Sequence, residues 1–233
     1  MMFKDKAGIN HRNGKDYADN LHKLAQAIQK GKDAERKLLL NGSEITYKHS
    51  PDHSACTYDP VNDSQRKTEK RLCRCIYFLN CPKVKEEQRA KCAACSYLYK
   101  TYTLNDGYVI QDYEVAAPYN EHNGVDLIWT APDGKTYAVE IKPTDSAETI
   151  IRMAAEILTY TLTAKGEDKL GEPAICFFKE TSKGKPSAQW REYLDWKDND
   201  DFKIILTRVH VFYFTSDGDR LTIHDTKDEP ICK

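Results

Sequence analysis

The sequence predicts an α/β domain, a mixed β-sheet flanked by helices, with a helical cysteine-rich segment placed before it. Three observations carry that expectation. Gly124–Pro143 (GVDLIWTAPDGKTYAVEIKP) holds two short apolar segments, Val125–Thr130 and Tyr137–Ile141, on either side of a Pro-Asp-Gly turn signal, the pattern of a β-hairpin. Ile150, Ile151, Ala154, Leu158 and Leu162 then recur at helical spacing. The compact apolar run Pro173–Lys179 (PAICFFK) follows, as a buried parallel strand does after a crossover helix.

Taken in order, the chain divides into an N-terminal helical region with its connection (1–63), a basic cysteine-rich segment (64–104) and the α/β core (105–233). Tyr17, Leu21, Leu24, Ala25 and Ile28 make a helical stripe from Asp16 to Lys30. A second helical segment, Ala34–Leu40, closes at Asn41-Gly42, and Glu44–Asp63 is a polar connection. Tyr108–Ala116 alternates as a strand after the turn signal Asn105-Asp106-Gly107. Beyond the hairpin, Asp145 is placed to cap a helix, with Glu148 returning to it and Lys165-Gly166 ending the helix. Ser182–Pro186 reads as a flexible basic loop and Trp190–Trp196 as a short helix. Phe202–Phe214 reads as one long or two short strands, and Leu221–Ile223 as another. His210, between Val209 and Val211, is expected to be a hydrogen-bonded sheet residue rather than a ligand.

Bulk properties exclude more than they select. The net charge is −1, so global electrostatics name no partner. No apolar run reaches eighteen residues and the N-terminus lacks a hydrophobic signal core, so a soluble, cytoplasmic protein without membrane contact is expected. There is no P-loop, no Rossmann glycine pattern and no His-Glu-x-x-His, which counts against nucleotide hydrolases and zinc proteases.

Ser64–Lys100 sets ten Lys or Arg against three acidic residues and interleaves Tyr77, Phe78, Tyr97 and Tyr99. Five of the eight cysteines fall here: Cys73, Cys75, Cys81, Cys92 and Cys95. The Cys92-x2-Cys95 pair has the spacing of two thiolates gripping one tetrahedral metal, and Cys81 with Cys75 or Cys73 could complete a four-thiolate site. Zinc suits that set, as does an iron–sulfur cluster. Buried structural cysteines in a helix are the plainer alternative.

The hairpin carries the chemistry. On its second strand Glu140 and Lys142 share one face while Val139 and Ile141 take the other, and strand pairing can bring Asp126 beside Glu140. A solvated polar face would explain the charges. If buried, two carboxylates and an ammonium must be paired or hold a cation. Asp126 followed fourteen residues later by Glu140-Ile141-Lys142 resembles the Asp…(Asp/Glu)-x-Lys signature of the PD-(D/E)XK nuclease superfamily, with Val125 where the family usually has proline. The resemblance spans roughly Tyr108 to Glu180.

That resemblance implies a restriction-endonuclease-like α/β fold and a metal-dependent nuclease acting on DNA phosphodiesters. Asp126, Glu140 and the Ile141 carbonyl would hold Mg²⁺ or Mn²⁺, with Lys142 assisting the attacking water. It further implies an upstream metal-site glutamate. Glu114 is the best match, with Glu121 and Asp112 as competitors. RecB-like members carry Gln-x3-Tyr on the next helix; Glu156 and Tyr160 have that spacing, with Glu in place of Gln, and an Arg152–Glu156 ion pair is the structural alternative. Beside such a hairpin, Arg66, Lys67, Lys70, Arg71 and Arg74 are candidates for phosphate-backbone contacts. The alternatives are a non-cleaving nucleic-acid-binding module of the same fold and a nuclease acting on RNA or activated by a ligand. A homodimer would suit duplex cleavage.

Overall fold

The computed structural model describes residues 14–40, 69–94, 103–104, 107–116, 124–163, 170–217 and 220–228. Helices α1 (Gly14–Lys30) and α2 (Lys32–Leu40) meet at Gly31, whose φ of 95° suits a residue without Cβ, and whose N–H donates to the Ile28 carbonyl at 3.0 Å. The cysteine-rich segment gives α3 (Glu69–Asn80) and α4 (Glu86–Ala94). The remaining elements are β1 (Thr103–Leu104), β2 (Val109–Ala116), β3 (Gly124–Thr130), β4 (Thr136–Lys142), α5 (Ile150–Thr163), β5 (Glu172–Phe178), α6 (Ala188–Trp196), α7 (Asp200–Leu206), β6 (His210–Asp217) and β7 (Arg220–Asp225).

The described strands form one mixed sheet in the order β1-β7-β6-β5-β4-β3-β2. Strands β4, β5 and β6 are parallel, while β2–β3, β3–β4 and β6–β7 are antiparallel. Strand alternation divides the core in two. Tyr137, Val139 and Ile141 of β4, Cys176 and Phe178 of β5, and Phe212 and Phe214 of β6 pack with Leu72, Ile76 and Phe78 of α3. Ala138, Ile175, Phe177, Val211 and Tyr213 face the opposite way, against α1, α5, α6 and α7. Helices therefore cover both faces, as near-continuous burial of the central strands demands. Gly171, just before β5, has a φ of 102°, and a Cβ there would lie 2.5 Å from the Thr136 carbonyl oxygen, so only glycine lets β5 join β4 at this point. His210 meets its expectation: its Nε2 lies 2.8 Å from Asp225 Oδ2.

Two sequence expectations are corrected. The run Phe202–Phe214 is not all strand, because Asp200–Leu206 forms α7. Asn199 caps it by accepting from the Phe202 N–H at 3.1 Å, two aspartates fill its first turn, and Phe202 and Ile205 point into the core. Cap and acidic turn outweigh the β-branched residues that follow. The helix expected from Asp145 instead begins at Ile150. Thr149 Oγ1 accepts from the Arg152 N–H at 3.3 Å, and the Glu192 carboxylate of α6 accepts from the Ile150 N–H at 2.6 Å. Glu148 is thereby released from capping and turns elsewhere.

Candidate metal centre

The hairpin forms in the register its sequence implies. Ala131-Pro-Asp-Gly-Lys makes the turn, with Gly134 at a φ of 82° and the Ala131 N–H donating to the Lys135 carbonyl at 2.8 Å. The ladder runs from Thr130–Thr136 to Leu127–Val139 and stops one pair short of Asp126–Glu140. At the place left by the missing pair, Asp126 Oδ2 accepts the Ile141 N–H at 2.7 Å. The carboxylate thus satisfies a backbone donor that the ladder leaves free, and this fixes its position.

A third carboxylate reaches the same point from the other helical layer. Glu69, in the first turn of α3, joins Asp126 and Glu140 in a group whose ligand oxygens all lie within 4.8 Å of one another. Lys142 Nζ lies 2.5 Å from Glu69 Oε2, 2.6 Å from Glu140 Oε1 and 3.0 Å from Glu148 Oε2. From α5, Arg152 Nε pairs with Glu148 Oε1 at 2.5 Å and Arg152 Nη2 with Glu156 Oε2 at 3.3 Å, while the Tyr160 hydroxyl donates to Glu156 Oε1 at 3.1 Å. The side chains expected to share a helix face, Arg152, Glu156 and Tyr160, do so.

Asp126, Glu140 and Lys142 are all nearly inaccessible, at 7%, 2% and 3% exposure. In this network five carboxylates (Glu69, Asp126, Glu140, Glu148, Glu156) face two cations, Lys142 and Arg152. Burial and mutual repulsion push the carboxyls of Asp126 and Glu140 well above the usual range, and burial raises Glu69 against the pull of Lys142. Burial alone would lower the Lys142 ammonium, but Glu140, Asp126, Glu69 and Glu148 outweigh it and hold the value well above normal. Burial and then Glu156 raise Tyr160 as well, so its phenol stays protonated and donates. An all-oxygen donor set with excess negative charge suits a hard divalent cation.

Glu69 is the residue that sequence reasoning missed. Its signal was present: a lone acid in a basic run, one turn ahead of Leu72, Cys73 and Ile76 and on their buried stripe. Glu114, nominated for that role, is not in the carboxylate group. It sits at a φ of 45° in β2, its Oε2 lies 3.5 Å from Arg74 Nη2, and its Oε1 is buried without a hydrogen-bond partner among the described residues. Asp112 accepts from the Tyr113 N–H at 2.8 Å, and Glu121 lies outside the described residues.

Three of the thiolate candidates, Cys73, Cys75 and Cys81, are among the described residues. Cys73 and Cys75, two positions apart on α3, project about 200° apart, and Cys81 follows about 9 Å further along the axis than Cys75. Cys73 is fully buried beside the carboxylates, which together with burial push its thiol up. Cys81 is buried, with its Sγ 4.0 Å from the Gln111 carbonyl, and Cys75 packs half-buried against the same core. The Cys92 side chain and Cys95 lie outside the described residues.

Two of the proposed phosphate contacts on α3, Arg71 and Arg74, have described side chains. Arg71 is 4% exposed, and Arg74, half-buried, pairs with Glu114. Arg66, Lys67 and the Lys70 side chain fall outside the described residues.

Site and fold define an α/β protein with a buried, carboxylate-rich candidate cation site. Compared with protein-family models, curated proteins and solved structures, the chain finds no match. No described helix is long and apolar enough to cross a membrane.

Proposed function

We propose that the protein is a metal-dependent nuclease of the PD-(D/E)XK type that hydrolyses DNA phosphodiester bonds. One observation carries the reading: Glu69, Asp126 and Glu140 converge within 4.8 Å with Lys142 Nζ against two of them. The motif supplies the second strand's Glu-x-Lys and the first strand's Asp, and the fold adds an acid from a separate helix. Glu69, Asp126 and Glu140 would hold Mg²⁺ or Mn²⁺, with the Ile141 carbonyl as a further oxygen donor. Bound there, the ion supplies Lewis-acid stabilisation of charge on the phosphate and lowers the pKa of water.

The chain's own contribution is positional and electrostatic. Lys142 Nζ, 2.5 Å from Glu69 and 2.6 Å from Glu140, would position or help deprotonate the attacking water and stabilise the developing negative charge. Glu148, braced by Arg152, keeps a grip on that ammonium when Glu69 and Glu140 turn to a cation. Tyr160 orients Glu156 at the margin.

Cleavage of labelled single-stranded DNA, duplex DNA and RNA in Mg²⁺ or Mn²⁺ tests the reading, with Lys142→Ala beside wild type. Metal-dependent cutting of DNA that falls about 10²–10⁴-fold in the variant is expected. Undiminished cutting by Lys142→Ala would sink the assignment of the lysine, and no cutting of any strand by wild type would sink the nuclease.

A further inference from the structure

An acid-rich centre attracts a cation but repels the polyanion it is to cut, so affinity for the strand must come from elsewhere. Among the described side chains of α3, Arg71 is buried and Arg74 pairs with Glu114, so these two do not provide it. The chain carries 35 basic and 36 acidic residues, so no general positive field provides it either. A local patch is required, and it must stand at the carboxyl end of β4, where Glu140 and Lys142 lie.

The segment leaving β5 meets that requirement. Strand β5 runs parallel to β4 with Phe177 opposite Lys142, so the chain emerges beside the candidate centre. It then folds back on itself. Glu180 bridges Pro186, the Thr181 N–H donates to the Lys185 carbonyl at 2.7 Å, and the Gly184 N–H donates to the Thr181 carbonyl at 2.9 Å. Thr181 Oγ1 accepts from the N–H groups of Lys183 and Lys185 at 3.4 and 3.3 Å. The loop that the sequence suggested to be flexible is thus a closed turn, with Gly184 at a φ of 68°. Lys183 and Lys185 stand exposed at its tip and make no ion pair among the described residues. At its root Lys179 Nζ lies over the rings of Trp190 at 4.5 Å and Tyr213 at 5.1 Å, which fixes a third positive charge. Ser187, completing the loop, donates its N–H to the Lys179 carbonyl at 2.9 Å and caps α6 through its hydroxyl.

We propose that the Thr181–Lys185 turn is a strand-binding element, in which Lys183 and Lys185 contact the phosphodiester backbone of the nucleic acid entering the centre. The turn begins at Thr181, three residues past the end of β5 and roughly 10 Å on at the rise of extended chain. It therefore engages phosphates a nucleotide or two from the one at the carboxylates. Contacts of this kind position the strand without reading its sequence. The assignment rests on the nuclease reading for the identity of the ligand.

The test is fluorescence anisotropy of labelled single-stranded and duplex DNA, and of RNA, across a salt series in Ca²⁺, without cleavage, comparing wild type with Lys183→Ala/Lys185→Ala. The double variant should bind about tenfold more weakly at moderate salt. Its slope of log affinity against log salt should be shallower by about 1.4 on single strands and about 1.8 on duplex. Lys183→Arg/Lys185→Arg should restore both, and the Mn²⁺-induced rise in Tm should be the same in all three proteins. An unchanged slope in the alanine variant, or wild type that binds no strand, overturns the element. Cleavage assayed in parallel separates the two ideas. Wild type that binds through this turn yet cuts nothing leaves the element standing and removes the nuclease. Wild type that cuts while the slope is unmoved does the reverse.

Discussion

Two regions that both bring metal-ligating residue types together in sequence end differently in space. The β3–β4 hairpin delivers Asp126, Glu140 and Lys142 to one point, whereas Cys73 and Cys75 project to different sides of α3 and Cys81 follows its end. The difference is periodicity. In a strand, residues two apart share a face, so Glu-x-Lys places both side chains on the same side, and an antiparallel turn adds the opposing aspartate. In a helix, two positions apart is nearly opposite, so Cys-x-Cys divides its thiols. The same spacing that builds a site on a strand dismantles one on a helix.

The largest effects should follow removal of the converging carboxylates. Asp126→Ala, Glu140→Ala and Glu69→Ala should each lower cleavage by about 10³-fold or more, the rate equivalent of losing several kcal/mol of metal-based stabilisation. Glu69→Ala is the discriminating member. Full activity in that variant would mean that α3 contributes only packing to the site, and the contrast between the two regions would collapse into hairpin alone.

The hairpin acids were legible in the sequence because their relation is local: a turn of fixed length sets the register, and register sets the face. Glu69 lies more than fifty residues from Asp126, and its arrival depends on how α3 lies across the sheet, which no local pattern states. Glu114 was the attractive choice, being on the neighbouring strand, yet it is not in the Glu69–Asp126–Glu140 group. The pairs Tyr113–Leu127 and Val115–Val125 place it opposite Asp126, but its backbone is left-handed and its carboxylate lies 3.5 Å from Arg74. The fold was read more fully than the site. Hairpin, crossover helix and central strand follow from hydrophobic periodicity, while α7 was hidden because Ile204, Ile205 and Val209 suggest a strand unless Asn199 and the aspartates after it are weighed as a helix start.

A second, smaller effect separates a strained site from an incidental one. Burial raises the folded-state carboxyl values of Asp126, Glu140 and Glu69 above their ordinary ones, so the folded chain binds these protons more tightly than the unfolded chain does. Their stabilising contribution is complete below the ordinary carboxylate range and is lost as pH rises through the folded-state values. Metal-free protein should therefore lose Tm as pH rises above the carboxylate range. Mg²⁺ or Mn²⁺ should restore it, by more at pH 8 than at pH 5.5 because protons compete for the same oxygens. Glu69→Gln should raise the Tm of metal-free protein at pH 8 while shrinking the metal-induced rise. Scanning calorimetry at the two pH values reads both. A metal-induced shift that is independent of pH would show that the cation binds elsewhere.

The smallest effect is expected where the sequence looked most suggestive. Cys75 is half-buried and projects about 200° around α3 from Cys73. Cys75→Ser should move Tm by no more than about 1 kcal/mol equivalent, the scale of exchanging a partly exposed thiol for a hydroxyl. Zinc and iron content, measured on purified protein by mass spectrometry, should be the same in variant and wild type. Cys81→Ser should cost more, because Cys81 is wholly buried beneath Tyr77 and the start of β2, yet should leave the metal content equally unmoved. Loss of one equivalent of zinc in both variants would contradict the separation of these thiols on α3 and return the segment to metal binding. Unchanged metal content with unchanged cleavage would fix the difference between the two regions: the carboxylates converge on a cation, and the described cysteines fill a core.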